Sequence, residues 1–289
     1  MSVLSFGEIL WDVYPDEKYL GGAPLNFAAH LAKHGENAFM LSSVGNDALG
    51  QAALEQVERW GVSTAYVAVN SEKQTGCCLV TLDERSVPSY NLLADVAYDE
   101  ITAAQLPDDF DVLYFGTLAL RSPENFRTLR RILKTHRFKE VFVDVNIRPP
   151  FYSEETVRFA VENASILKVS LEELPVLCQV FGADAGTPYG EFAEMLAHIC
   201  RNLRCVIVTL GEKGAWVLDC ETETSCICGG VSVDVVSTVG AGDSFSAAFL
   251  SKFMGGCSLP DCLEHGVKVA GFVVSQADAV PDYRLEALL

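Results

Sequence analysis

Ser237-Thr238-Val239-Gly240-Ala241-Gly242-Asp243-Ser244-Phe245 follows a strand-like run, Val231–Val236. It opens a helical pattern with Phe245, Ala248, Phe249 and Phe253 on one face and Gly255-Gly256 as its stop. Strand, small residues and helix start together make an anion site. Residues without bulky side chains let backbone N–H groups approach a phosphate, and the helix N-terminus adds a favourable dipole. Asp243 is out of place beside a phosphate unless it handles a proton. A carboxylate there can accept the proton of an attacking hydroxyl, as general bases do in phosphoryl transfer. Asp is equally at home in a first helical turn on dipole grounds alone, so both readings stand at this point. The turn is not a Walker P-loop, since GxxxxGK[ST] is absent, nor the dinucleotide fingerprint, since no GxGxxG follows a first strand.

Outward from this turn the chain alternates short apolar runs with longer helical ones. Val3–Ile9, Ala38–Val44, Val112–Phe115, Val141–Val145, Ile166–Val169 and Val206–Thr209 suit strands buried on both faces of a parallel sheet. Pro24–His34, Glu124–Thr135, Ser153–Asn163, Leu171–Phe181 and Tyr189–Asn202 are the expected helices. This order predicts an α/β sandwich with right-handed crossovers in a single domain, 1–289. One region breaks the rhythm. Ala65–Val69, Gly76–Leu82 and Val87–Leu92 are adjacent β-runs with a turn at Asp83-Glu84-Arg85 and no helix between them. They read either as an edge hairpin on the main sheet or as a small lid. Gly21-Gly22 and Asp99 as hinges favour a lid, built from about 12–20 and 64–98.

The chain has 289 residues, 49% of them hydrophobic, with 39 acidic against 21 basic side chains and a net charge of −18. Such composition excludes a disordered chain, and the acidic surplus argues against nucleic acid or an anionic membrane as partner. No basic and then apolar leader pattern and no long uncharged apolar run is present, so a cytoplasmic location is expected. The 10 Cys lack CxxC repeats with His partners and read as reduced, buried thiols.

Five segments in order resemble the ribokinase/PfkB-type family of small-molecule kinases, in particular its fructokinase branch. They are Gly7-Glu8-Ile9-Leu10-Trp11-Asp12, Gly21-Gly22-Ala23-Pro24-Leu25-Asn26-Phe27-Ala28, Asp144-Val145-Asn146-Ile147-Arg148-Pro149, Val208-Thr209-Leu210-Gly211-Glu212-Lys213-Gly214 and the Gly240-Ala241-Gly242-Asp243 turn. The resemblance implies a ribokinase-like three-layer α/β/α sandwich with a mainly parallel central sheet and a small β-sheet lid. It implies ATP-dependent phosphorylation of a small sugar, fructose first. Asp243 would be the catalytic base, and Gly240, Ala241 and Gly242 the backbone anion hole. Asp12, Gly21, Gly22, Asn26 and Asn146 would lie at the sugar, with Arg148 reaching sugar or transferred phosphate. Thr209, Gly211 and Gly214, with the segment from Lys168 onward, would form the shelf for ATP, and the helix around Val267–Gly271 the adenine pocket. Glu173 would help organise Mg²⁺. A nucleoside kinase or a non-catalytic sugar-binding regulator are the alternatives.

Two positions depart from the family pattern. Ser170 stands where Asn is usual, and Ser170-x-x-Glu173 also makes an ordinary capping box. Ser237 stands where members activated by a monovalent cation carry Asp, so K⁺ activation is not expected. Tyr90, Ala97, Tyr98 and Asp99 resemble the segment leading from the lid back to the main domain, where an aromatic packs on a sugar face or in the lid's own core. A lid with open edges also suggests a homodimer, with Gly76–Leu82 as the pairing strand.

Overall fold

A computed structural model describes residues 1–82, 88–103 and 106–285. The expected turn Asp83-Glu84-Arg85 and the side chain of Tyr90 lie outside the described residues. The chain begins β1 (Ser2–Phe6), β2 (Leu10–Val13), β3 (Lys18–Gly21), α1 (Ala23–Lys33), β4 (Asn37–Gly45), α2 (Ala48–Arg59), β5 (Ser63–Asn70), β6 (Gly76–Leu82), β7 (Pro88–Leu92). It continues β8 (Val112–Phe115), α3 (Pro123–Thr135), β9 (Glu140–Asp144), α4 (Glu154–Asn163), β10 (Ile166–Ser170), α5 (Leu174–Phe181), α6 (Tyr189–Ile199). It closes with β11 (Cys205–Thr209), β12 (Ala215–Asp219), β13 (Thr224–Cys228), α7 (Ala241–Met254), α8 (Leu259–Val274).

The large sheet runs β13-β12-β11-β10-β9-β8-β1-β4-β5, parallel except for the β11-β12-β13 meander at one edge. Alternate side chains of its strands enter two separate cores. Leu4, Phe6, Val206 and Val208 pack under α3, α4, α5 and α6. Val3, Cys205 and Ile207 pack on the other face under α1, α2, α7 and α8. The period of two along each strand thus builds three layers. A second sheet, β3-β2-β6-β7, stands apart. Its central pair, β2 and β6, is parallel and its outer pairs are antiparallel.

Several expectations need correction. Ser63–Asn70 pairs with β4 at the edge of the large sheet, so the small sheet's second contribution begins at Gly76, not at residue 64. Within it β6 lies between β2 and β7. Its backbone groups are taken, and edge pairing through Gly76–Leu82 is closed. The first strand stops at Phe6 because Gly7 turns at φ +150, where a Cβ would sit 2.5 Å from Pro24 Cγ. Val231–Val236 is no strand: the N–H groups of Val236 and Ser237 donate to Val274 O at the end of α8, and Val231 packs on Gly271. The segment rides on a helix end instead of joining the sheet. Residues 171–173 form a turn before α5, held because Ser170 N donates to the Glu173 carboxylate at 2.7 Å. The missed helix α2 has an explicit start, with Asp47 accepting from Gly50 N at 2.8 Å.

Candidate active site

The anion turn is set by Gly240, the N-cap of α7, in the left-handed region at φ 80. A side chain there would meet Ala279 O at 2.6 Å, so the turn is backed directly by the C-terminal segment. Ala241 N donates to Thr238 O, and Ser244 N to Gly240 O. Among the described residues, the Gly242 and Asp243 N–H groups remain open donors of the helix start, available to an anion. No Lys or Arg lies between residues 229 and 251.

Asp243 is buried on α7 and Asn26 on α1, and Asn26 Nδ2 donates to Asp243 Oδ2 at 2.8 Å. Burial pushes the Asp243 carboxyl up to about 6. The Asp144 charge adds to the rise, while the Asn26 hydrogen bond, Lys168 and Arg148 oppose it. Such a carboxylate is ionised at neutral pH and basic enough to take a hydroxyl proton. Helix α1 enters from Gly22, at φ 114, where a Cβ would lie 2.5 Å from Glu8 O. Gly21 ends β3, and a Cβ there would be 3.2 Å from Asp12 Oδ2. Both glycines therefore let the small sheet and α1 close on the acidic residues beside them. Asp12, on β2, accepts from the Cys78 thiol, and burial raises its carboxyl to about 6.

Beneath the turn lies a buried ion pair. Lys168 Nζ on β10 is 2.9 Å from Asp144 Oδ2 on β9, and Ser246 Oγ of α7 donates to the same oxygen at 3.4 Å. Burial opposes the Lys168 charge, but Asp144 and Glu173 outweigh it and hold the amine above its usual value. A Cβ on Gly242 would stand 2.9 Å from Lys168 Nζ. The ammonium therefore sits directly under the anion turn and fills the field that the turn's own sequence lacks.

After β9, Asn146 takes a left-handed conformation, φ 43, which Asn tolerates better than most residues. Ile147 N then donates to Glu173 Oε1 at 2.6 Å. With its other oxygen on Ser170 N, Glu173 ties the ends of β9 and β10 together. Arg148 is exposed, and its positive charge favours the charged forms of Glu8, Asp12 and Asp243. Thr209 O accepts from Leu171 N. Gly211 and Gly214, at φ 61 and 95, shape the β11–β12 turn, where a Cβ on Gly214 would be 2.0 Å from Cys228 O. The hairpin alone accounts for these two glycines.

Glu8 belongs to this group and was given no role in the sequence reading. Its carboxyl is buried, accepts from Ala23 N–H, and is raised to about 7 by burial and by Asp243. The signal was present: an acidic residue inside the otherwise apolar run Val3–Ile9.

The arrangement is a buried base aligned by an amide, at an open helix N-terminus with a cation beneath. Against known proteins, the model of the pfkB family of carbohydrate kinases matches residues 6–284. The chain belongs to the pfkB family of carbohydrate kinases. It is accordingly a carbohydrate kinase, a phosphotransferase with an alcohol acceptor. A sugar kinase of Pyrococcus horikoshii is 30% identical over 252 residues, covering 83% of this chain and 75% of that protein. A fructokinase of Vibrio alginolyticus is 26% identical over 260 residues, 85% of this chain and 81% of that one. The crystal structure of the Pyrococcus protein in complex with ATP superposes with a TM-score of 0.84, at 24% identity, over 99% of this chain and 96% of that one. The expected ribokinase-like α/β/α architecture with a small additional sheet is thereby met. Among the described residues no helix is long and apolar enough to cross a membrane.

Proposed function

We propose that this carbohydrate kinase transfers the γ-phosphoryl group of ATP to a hydroxyl of a small sugar, with fructose the first candidate. Asp243 at the start of α7, oriented by Asn26, carries the reading. In this mechanism Asp243 takes the proton of the attacking hydroxyl. The N–H groups of Gly242 and Asp243, in the turn shaped by Gly240 and Ala241, receive the transferred group. Lys168 supplies positive charge from below, and Arg148 from the solvent side. Asp12, Asn26 and Asn146, together with Gly21 and Gly22, border the sugar. Thr209, Gly211 and Gly214 line the nucleotide side, and the face of α8 around Val267–Gly271 borders the base. The small sheet acts as a lid that excludes water, limiting loss of ATP to hydrolysis. Fructose is favoured by the DxNxR-type segment around Arg148 and by the fructokinase among the relatives.

The donor set also bears on the metal. Among the described residues no three His, Cys, Asp or Glu side chains group to cage an ion, and both oxygens of Glu173 accept backbone N–H groups. That fits Mg²⁺, which keeps several waters and binds chiefly through phosphates. Mg²⁺ would arrive with the nucleotide, neutralise its charge, and be held from the protein side through Glu173 and water. Ten free thiols without a disulfide suit a reducing, cytoplasmic setting. If two copies pair through the lid, the free edges β3 and β7 or the exposed Leu79 face would make the contact.

The test is a panel of sugars and nucleosides with ATP and Mg²⁺, read as ADP release. Turnover on a ketohexose with no turnover on nucleosides is expected. Nucleoside turnover alone would replace fructose as acceptor class, and binding of sugars without any turnover would reveal a regulator.

A further inference from the structure

Tyr98 and Arg121 are unused by the mechanism above. Tyr98 sits in the single turn Ala97–Asp99 and is fully buried. Arg121 ends the short turn Leu118–Arg121, and its side chain is 8% exposed. Arg121 Nε and Nη2 donate to the two Asp99 carboxylate oxygens at 2.8 and 2.9 Å, and Nη2 also to Leu93 O at 2.7 Å. The guanidinium lies 4.8 Å from the Tyr98 ring and 4.8 Å from the Phe151 ring. Asn125 locks both turns by donating to Tyr98 O and Ala119 O. Against this thorough anchoring, Arg121 Nη1 and Tyr98 Oη are buried and have no hydrogen-bond partner among the described residues. Two buried polar atoms on stacked side chains, left unpaired inside a rigid frame, lose their hydration for no return, which folded proteins avoid unless a ligand or water completes them.

Their place connects them to the site. The Tyr98 ring abuts Gly76, which pairs with Leu10 where β2 and β6 begin. Glu8 feels the Asp243 charge and acts on this pair, and the Tyr98 ring and Ile9 O both lie against Gly76. Asp99 already offsets the Arg121 charge bidentately, and the Glu8 carboxyl acts on both Tyr98 and Arg121. A carboxylate or phosphate on the acceptor would be repelled there, whereas a neutral oxygen would not.

Resting on the sugar-kinase reading, we propose that Arg121 Nη1 and Tyr98 Oη together bind a neutral hydroxyl or ring oxygen of the acceptor sugar and so determine which carbohydrates are taken. The pair selects uncharged sugars over sugar acids.

The experiment compares wild type, Tyr98→Phe and Arg121→Lys. Substrates are D-fructose, D-ribose and D-glucose, with D-gluconate and 2-keto-3-deoxy-D-gluconate as the acids. KM, kcat and sugar-induced shifts in Tm are measured. Wild type is expected to prefer a neutral sugar. Tyr98→Phe should raise its KM at least tenfold, with kcat and the KM for ATP within twofold. Its Tm without ligand should stay level or rise, because only an unpaired hydroxyl is removed, while the sugar-induced shift shrinks. A purely structural role predicts instead a fall in Tm with both KM values changed alike. An unchanged sugar KM, as when a resident water alone satisfies the pair, overturns the proposal, and so does a wild-type preference for the acids. If wild type releases no ADP on any sugar, the catalytic reading of Asp243 fails, while the sugar-induced Tm shift still reads the Tyr98 contact.

Discussion

At the residue scale the site is governed by carboxylates held out of water. Asp243 and Asp12 are raised to about 6 and Glu8 to about 7. A base must be ionised, so kcat/KM should climb as pH rises through about 6 and level off above neutrality. Because the Asp243 charge raises the Glu8 carboxyl, these two groups are coupled, and the acid limb should be broader than one isolated ionisation gives. A pH–rate profile measures this, and a flat profile from pH 5 to 8 would contradict it. The same burial has an opposite sign for stability. The unfolded Asp243 carboxyl titrates near 3.8 and the folded one near 6, so the native state binds the extra proton between those values. Stability is therefore lost as pH rises through that window, and the penalty is complete above it. Asp243→Asn removes the charge and retains the shape. We expect turnover to fall by about three orders of magnitude or more, sugar binding to survive, and the unliganded Tm at pH 8 to rise.

At the scale of elements, the start of α7 is held by neighbours distant in sequence. Gly240→Ala forces a side chain against Ala279 O at 2.6 Å with φ at 80, so both Tm and kcat should drop. Removing a positive-φ glycine costs about 1–2 kcal/mol before the collision is counted. Lys168→Met leaves Asp144 charged and buried without its partner, at a cost of about 3–5 kcal/mol. Denaturant melts of Lys168→Met and of the double variant with Asp144→Asn check this, since the double variant should recover much of the loss. Legibility in the sequence followed the range of the forces. The central strands and the α7 turn could be read because apolar runs and small-residue turns are local signals. The placement of Ser63–Asn70 in the large sheet could not, because it depends on which strand edge is free to pair. Val231–Val236 misled for a related reason: its alternating valines meet the end of α8 rather than a sheet. The roles of Glu8 and of Lys168 beneath Gly242 are set by contacts between elements that no window of sequence contains.

At the scale of the whole molecule, a net charge of −18 must accommodate a polyanionic nucleotide. In the proposed site the backbone turn, Lys168 and Arg148 would neutralise only part of that charge, and Mg²⁺ would supply the rest. Removing Mg²⁺ with EDTA should abolish turnover and weaken ATP binding at least tenfold by calorimetry; equal affinity with and without metal would refute this. Replacing K⁺ by Na⁺ should alter the rate less than twofold, since Ser237 offers no carboxylate; strong K⁺ stimulation would show that other oxygens bind the ion.

The hydrogen bond from Asn26 to Asp243 joins residues 217 positions apart. Each half of the proposed catalytic pair is thus made at a different stage of protein synthesis. While the ribosome is still building the middle of the chain, Asn26 has no carboxylate to orient and the anion turn does not exist. With Asp243 as the proposed base, a copy that ends before α7 has neither base nor anion turn, and activity should appear only once α7 packs on α1.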